Sequence, residues 1–121
     1  MSKKILIVDD AGYMREMIKD ILGKAGYEIV GEAEDGQEAI AKYLQLKPDL
    51  VTMDIVMKEK SGIDVVKEIC KIDSQAKVLM TSAMGQQAMI VEAIRAGAKG
   101  FVIKPFRPEM MLEEVKRILE K

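Results

Sequence analysis

Leu50-Val51-Thr52-Met53-Asp54-Ile55-Val56-Met57 is a run of apolar and β-branched residues broken by one carboxylate. Seven of these eight residues suit a buried β-strand, being apolar or, in Thr52, β-branched. The eighth is a carboxylate. An unpaired charge within such a run costs several kcal/mol, roughly 3–5, so Asp54 is expected at the strand's end, facing a cation or water. Asp49 to Asp54 is therefore read as a strand buried on both faces, the signature of a parallel sheet.

Working outward, the same grammar repeats. Lys4 to Val8 is a short apolar run that stops at Asp9-Asp10. From Tyr13 the period becomes helical, with Met14, Met17, Ile18, Ile21, Leu22 and Ala25 recurring before Gly26. Tyr27 to Ala33 reads as a second strand. After Gly36 comes a helix with Ala39, Ile40, Tyr43, Leu44 and Leu46 inward, closed by Lys47-Pro48. Downstream of Asp54, the charged loop Lys58-Glu59-Lys60-Ser61-Gly62 leads to a helix burying Ile63, Val66, Ile69 and Cys70. Lys77 to Thr81 is the fourth strand, and Ser82-Ala83-Met84-Gly85 opens a helix from Gln86 to Ala96, capped by Gly97. Gly100 to Ile103 is the fifth strand, ending at Lys104-Pro105. Pro108 starts a last helix, where its missing N–H costs least, with Met111, Leu112, Val115, Ile118 and Leu119 inward.

Five strands alternate strictly with five helices. The expected fold is α/β: a doubly wound, flavodoxin-like parallel sheet of order 2-1-3-4-5 with five helices on both faces, and residues 1–121 forming one domain. Ligands of such folds bind outside the carboxyl ends of the strands, at the switch between strands 1 and 3.

Composition narrows the chemistry. The 121 residues carry 19 basic and 20 acidic side chains, so there is no basic surplus to attract nucleic acid. There is no histidine, which excludes Ser-His-Asp and Cys-His catalysis and any His-ligated zinc. The one cysteine, Cys70, cannot form an internal disulfide, and its place on an apolar face makes it a small core residue. No apolar run approaches the ~20 residues of a bilayer span, and no signal peptide opens the chain, so a cytoplasmic protein with no membrane partner is expected. Ten methionines are mostly flexible core filler; Met110 and Met111 are the candidates for an adaptable binding surface.

What gathers at the carboxyl ends is specific. Strand 1 ends in Asp9 and Asp10, strand 3 in Asp54, strand 4 in Thr81-Ser82 and strand 5 in Lys104. Taken singly, Asp9 or Asp10 would serve as an ordinary helix cap. Together, two carboxylates ~4 Å apart repel by about 4 kcal/mol at an effective dielectric near 20. Three cannot all stay ionised without a cation, and an oxygen-only set selects a hard divalent ion, Mg²⁺ first. A strand-end carboxylate beside a metal, with a lysine and a hydroxyl opposite, suits covalent catalysis on a phosphoryl group. Asp54 is then the nucleophile, Lys104 contacts a phosphoryl oxygen, and Ser82 donates a hydrogen bond.

In combination, Asp9-Asp10, Met53-Asp54, Ser82-Ala83 and Lys104-Pro105, set in this βα repeat, resemble the receiver domain of two-component response regulators over the whole chain. Because the chain stops at the fifth helix, it looks like the family's stand-alone chemotaxis members. The resemblance implies that Asp54 accepts a phosphoryl group from a sensor histidine kinase. It implies that Asp10, Asp54 and the Val56 main-chain carbonyl hold Mg²⁺, with Asp9 acting through water, and that Lys104-Pro105 is a cis peptide. It implies that Phe101 is the aromatic switch of a face built by helix 4, strand 5 and helix 5, which would bind the flagellar motor switch protein. A dedicated phosphatase, a monomeric state and a role as signalling switch rather than enzyme go with it. Without the resemblance, Phe101 would read as plain core.

The loop after Asp54 departs from the family pattern. Lys58 stands where proline is usual, and Ser61 where Asn or Asp precedes the glycine. Lys58 is expected to bring a second cation to the acidic pocket and weaken Mg²⁺. Val56 and Met84, at the positions that tune phosphoryl lifetime in the family, cannot orient an attacking water, so self-dephosphorylation should be slow. Three alternatives remain. A phosphohydrolase would need a second Asp two residues after the nucleophile, where Val56 stands. A flavodoxin-like cofactor binder would place phosphate after strand 1, against Asp9-Asp10. A single-domain phosphorelay intermediate would share the whole pattern.

Overall fold

The computed structural model describes residues 2–120. Its elements follow one another as β1 (Lys4–Val8), α1 (Gly12–Lys24), β2 (Glu28–Ala33), α2 (Gly36–Leu46), β3 (Leu50–Asp54), α3 (Gly62–Ile72), β4 (Val78–Ala83), α4 (Gln87–Ala96), β5 (Gly100–Lys104) and α5 (Pro108–Leu119). The five strands form one parallel sheet of order β2-β1-β3-β4-β5, as the alternation predicts. β3 lies in its middle and all five of its residues are buried.

Strand alternation sorts side chains between two layers. Ile5, Ile7, Leu50, Leu79 and Val102 pack against Met14, Ile18 and Leu22 of α1 and Met111, Val115 and Ile118 of α5. Leu6, Val8, Val51, Met53, Val78 and Met80 pack against α2, α3 and α4, which contribute Ala39, Tyr43, Ile63, Val66, Ile69, Ile90 and Ala93. The last residue of β3 falls in phase with Leu50 and Thr52, so Asp54 leaves the sheet on the α1/α5 side. Asp9, in phase with Ile5 and Ile7, does the same. Both amphipathic end helices and both core layers thus set the direction of the carboxylates.

Several expectations need correction. β4 runs two residues beyond Thr81, so Ser82 and Ala83 are strand, paired with Ile103 and Lys104. Gln86 lies outside α4, at its N-cap. Leu44 and Met17 are solvent-exposed, because the buried stripes of their helices run through Ala39 and Tyr43, and through Met14, Ile18 and Leu22. Met111 is core; only Met110 of that pair is at the surface. Cys70 is half-buried against the α2–α4 layer.

Candidate phosphoacceptor and metal site

Register builds the site. Val8 pairs with Met53, and Asp9 and Asp54 follow them; Asp54 in turn pairs with Thr81. Asp9 and Asp54 are both buried, while Asp10 is the most open of the three. Each of Asp9, Asp10 and Asp54 offers a carboxylate oxygen, and these oxygens lie within 4.8 Å of one another. Among the described residues no nitrogen or sulfur ligand joins them, and hard oxygen donors in such a cluster fit a Mg²⁺-type cation.

Lys104 shares the phase of Val102 and so reaches the same side of the sheet. Its Nζ lies 3.1 Å from Asp9 Oδ2 and 3.4 Å from Asp54 Oδ1. Burial alone would lower the lysine's pKa, but Asp54 and Asp9 beside it prevail and raise it, so it stays an ammonium. Asp54 itself is pushed up to about 6, first by burial and then by Asp9, against the pull of Lys104. One ammonium leaves an excess of negative charge in the pocket, as the count of charges predicts. Asp9 is also fixed from outside. Its Oδ1 accepts from Ala11 N–H at 2.9 Å, its carbonyl accepts from Arg15 Nη1 at 2.7 Å, and Arg15 is held by Glu32.

The loop after β3 is tied at both ends. Ile55 N–H donates to the Thr81 carbonyl and Gly62 N–H to the Ile55 carbonyl. Neither bond uses the Val56 carbonyl, and the Val56 side chain points to solvent. Gly62 is needed for closeness rather than for flexibility: a Cβ there would lie 2.1 Å from the Asp54 carbonyl oxygen. Ser61 is the N-cap of α3, its Oγ accepting from Asp64 N–H. Asn, Asp and Ser are close equivalents at an N-cap, so this departure keeps its function. Lys58 is not placed beside the carboxylates, as its position in the sequence suggested. The charges that move Asp54 are Asp9, Lys104 and Asp10, and Lys58 lines a separate groove with Asp35, Ile40, Leu44 and Lys60.

Ser82 is brought to the strand ends but not to the carboxylates. One residue out of phase with Thr81, it shares the face of Met80, and its buried hydroxyl bonds to Gln86. Phe101, exposed at 41%, is not core. Lys104-Pro105 is cis. Two participants escaped the sequence reading, Arg15 and Gln86; each sits four to six residues from the group it holds, a spacing visible only once the helix starts are known.

Residues 5–116 match the family model described as response regulator receiver domain. The chain is 59% identical over 118 residues to the chemotaxis protein CheY of Thermotoga maritima, covering 98% of both chains. It is 56% identical over 119 residues to CheY of Bacillus subtilis, covering 98% of this chain and 99% of that one. Among solved structures it is similar to the CheX–CheY–BeF₃–Mg²⁺ complex of Borrelia burgdorferi, with a TM-score of 0.93, 33% identity and coverage of 98% and 90%. The chain belongs to the response regulator receiver domain family.

Proposed function

We propose that Asp54 is the phosphoacceptor of this receiver, taking its phosphoryl group from a phosphohistidine on a sensor histidine kinase. The observation that carries this reading is the position of Asp54: buried at the end of the central strand, 3.4 Å from Lys104 and next to Asp9 and Asp10. An oxygen of the Asp54 carboxylate attacks phosphorus, and the imidazole nitrogen of the donor leaves with the bonding pair. Asp10, Asp54 and the Val56 main-chain carbonyl would hold Mg²⁺, with Asp9 acting through water. When bound, that ion offsets charge on the phosphoryl oxygens. Lys104 neutralises another of those oxygens, and Ser82 supplies a hydroxyl once it turns to the phosphoryl group.

The output face of this reading is built by α4, β5 and α5. Val91, Ile94, Phe101 and Met110 expose apolar side chains there, a concentration that suits a protein partner. Phe101 would swing inward on phosphorylation and reshape this face for the flagellar motor switch protein. The likeness to CheY chains supports chemotaxis over a phosphorelay. A dedicated phosphatase, a cytoplasmic location and a monomeric resting state belong to the same reading. Slow self-dephosphorylation follows from Val56 and Met84, whose side chains are exposed and apolar and cannot orient a water by hydrogen bonding.

Incubation with acetyl phosphate and Mg²⁺ tests this by intact mass. One added phosphoryl group, lost in Asp54→Ala, is expected; the same added mass in Asp54→Ala would refute it. Multiple turnovers of a generic phosphate ester would instead favour a hydrolase.

A further inference from the structure

The hydroxyl that Ser82 would present to a phosphoryl group is already engaged. Its Oγ lies 2.8 Å from Gln86 Oε1 and 3.0 Å from the Ala83 carbonyl oxygen. The same Gln86 Oε1 accepts from Ala83 N–H at 2.8 Å. A backbone N–H can only donate, so the atom facing it is the carboxamide oxygen and not its nitrogen. Two donors, one side-chain and one main-chain, therefore converge on a single oxygen at the carboxyl end of β4. That is how preorganised donors hold an anionic oxygen, here filled by a neutral one from the chain itself.

Two further features make the arrangement a latch. Ser82 is fully buried, so its hydroxyl cannot pass to bulk water when it leaves Gln86. Gln86 is tied to α4 through its own carbonyl, which accepts from Ile90 N–H at 3.0 Å. Gly85, with φ of 89°, precedes it in a conformation that favours glycine, and a Cβ there would meet nothing.

We propose that Gln86 is a positioning residue whose carboxamide oxygen occupies the Ser82 O–H and Ala83 N–H in the resting state. A phosphoryl oxygen on Asp54 displaces it. This rests on the phosphoacceptor reading of Asp54. Displacement frees Gln86 at the N-terminus of α4, the helix that carries Val91 and Ile94 to the exposed apolar face. The latch thus couples the phosphoryl site to that face and opposes activation until a phosphoryl group competes for both donors.

The test is titration of the full chain with beryllium fluoride in saturating Mg²⁺, using wild type, Gln86→Ala, Gln86→Met and Ser82→Ala. Gln86→Ala should bind roughly thirtyfold more tightly than wild type, the effect of releasing two hydrogen bonds of ordinary net strength. Gln86→Met keeps the side-chain length without the acceptor and should show the same gain. In the Ser82→Ala background the gain should shrink to roughly its square root, because one of the two donors is gone. Hydrogen exchange supplies a readout that a merely structural role would not move in this way. The Ala83 amide should exchange faster in unliganded Gln86→Ala than in wild type, and equally slowly in both once beryllium fluoride is bound. Folded Gln86→Ala and Gln86→Met binding no more tightly than wild type would overturn the latch. Equal binding by wild type and Asp54→Ala would overturn the phosphoacceptor reading itself, and the latch with it.

Discussion

On the α1/α5 side of the sheet the strands run out into Asp9, Asp54 and Lys104, whereas on the α2–α4 side the same strand ends carry Ser82 and its partner Gln86. The first side concentrates charge that one ammonium does not balance. Around Ser82 on the second side the hydrogen bonds are neutral and made within the chain. A phosphoryl group on Asp54 would be recognised from both, by charge on one side and by donors on the other. Unbalanced charge in the resting state therefore lies on the first side, and hydrogen-bonded restraint of Ser82 on the second.

The largest expected effect is where the two sides meet. In Gly62→Ala the new Cβ collides with the Asp54 main-chain carbonyl, which no side-chain rotation can relieve. Chemical denaturation should show a loss of about 4 kcal/mol, with beryllium fluoride binding impaired. Next comes the charge itself. Folding raises the Asp54 carboxyl from its ordinary 3.8 to about 6, so the folded chain holds that proton more tightly than the unfolded one. Metal-free protein should therefore lose stability as pH rises from about 4 to about 6, by about 3 kcal/mol, and stay at the lower level above. Asp54→Asn should flatten that slope and be the more stable protein at pH 7 without metal. Mg²⁺ affinity should fall as pH drops through 6, because the ion competes with the proton.

Removing the Lys104 ammonium should act in the opposite sense. Lys104→Met leaves Asp9 and Asp54 facing each other and should cost about 2 kcal/mol at pH 7, less than a fully buried pair because Lys104 is partly exposed. The smallest effect is the sharpest contrast. Thr81 and Ser82 are adjacent buried hydroxyls on opposite sides, and among the described residues Thr81 Oγ1 has no hydrogen-bond partner. Thr81→Val should change stability by less than about 1 kcal/mol and leave beryllium fluoride binding unaltered, whereas Ser82→Ala should weaken that binding.

Much of this was legible without coordinates. The alternation of short apolar runs with helical periods forces a parallel sheet, and the halt of three such runs at Asp9, Asp54 and Lys104 marks their carboxyl ends. What was not legible depends on phase and on local caps. Leu44 looks inward because it is apolar and adjacent to Tyr43, but neighbouring helix residues point about 100° apart, and Tyr43 takes the core side. Lys58 looks close to Asp54 because only three residues separate them, yet the turn carries it towards α2. Ser82 looks aimed at Asp54, while its strand phase and Gln86 turn it towards α4. Sequence distance does not encode side-chain direction across a strand end.

The phosphoryl group can be located chemically. Protein treated with acetyl phosphate and Mg²⁺ would be reduced with borohydride, which converts an aspartyl phosphate to homoserine, and then mapped by tandem mass spectrometry. Homoserine at position 54, absent from the untreated chain, is the predicted result; homoserine at position 9 or 10, with Asp54 intact, would contradict it.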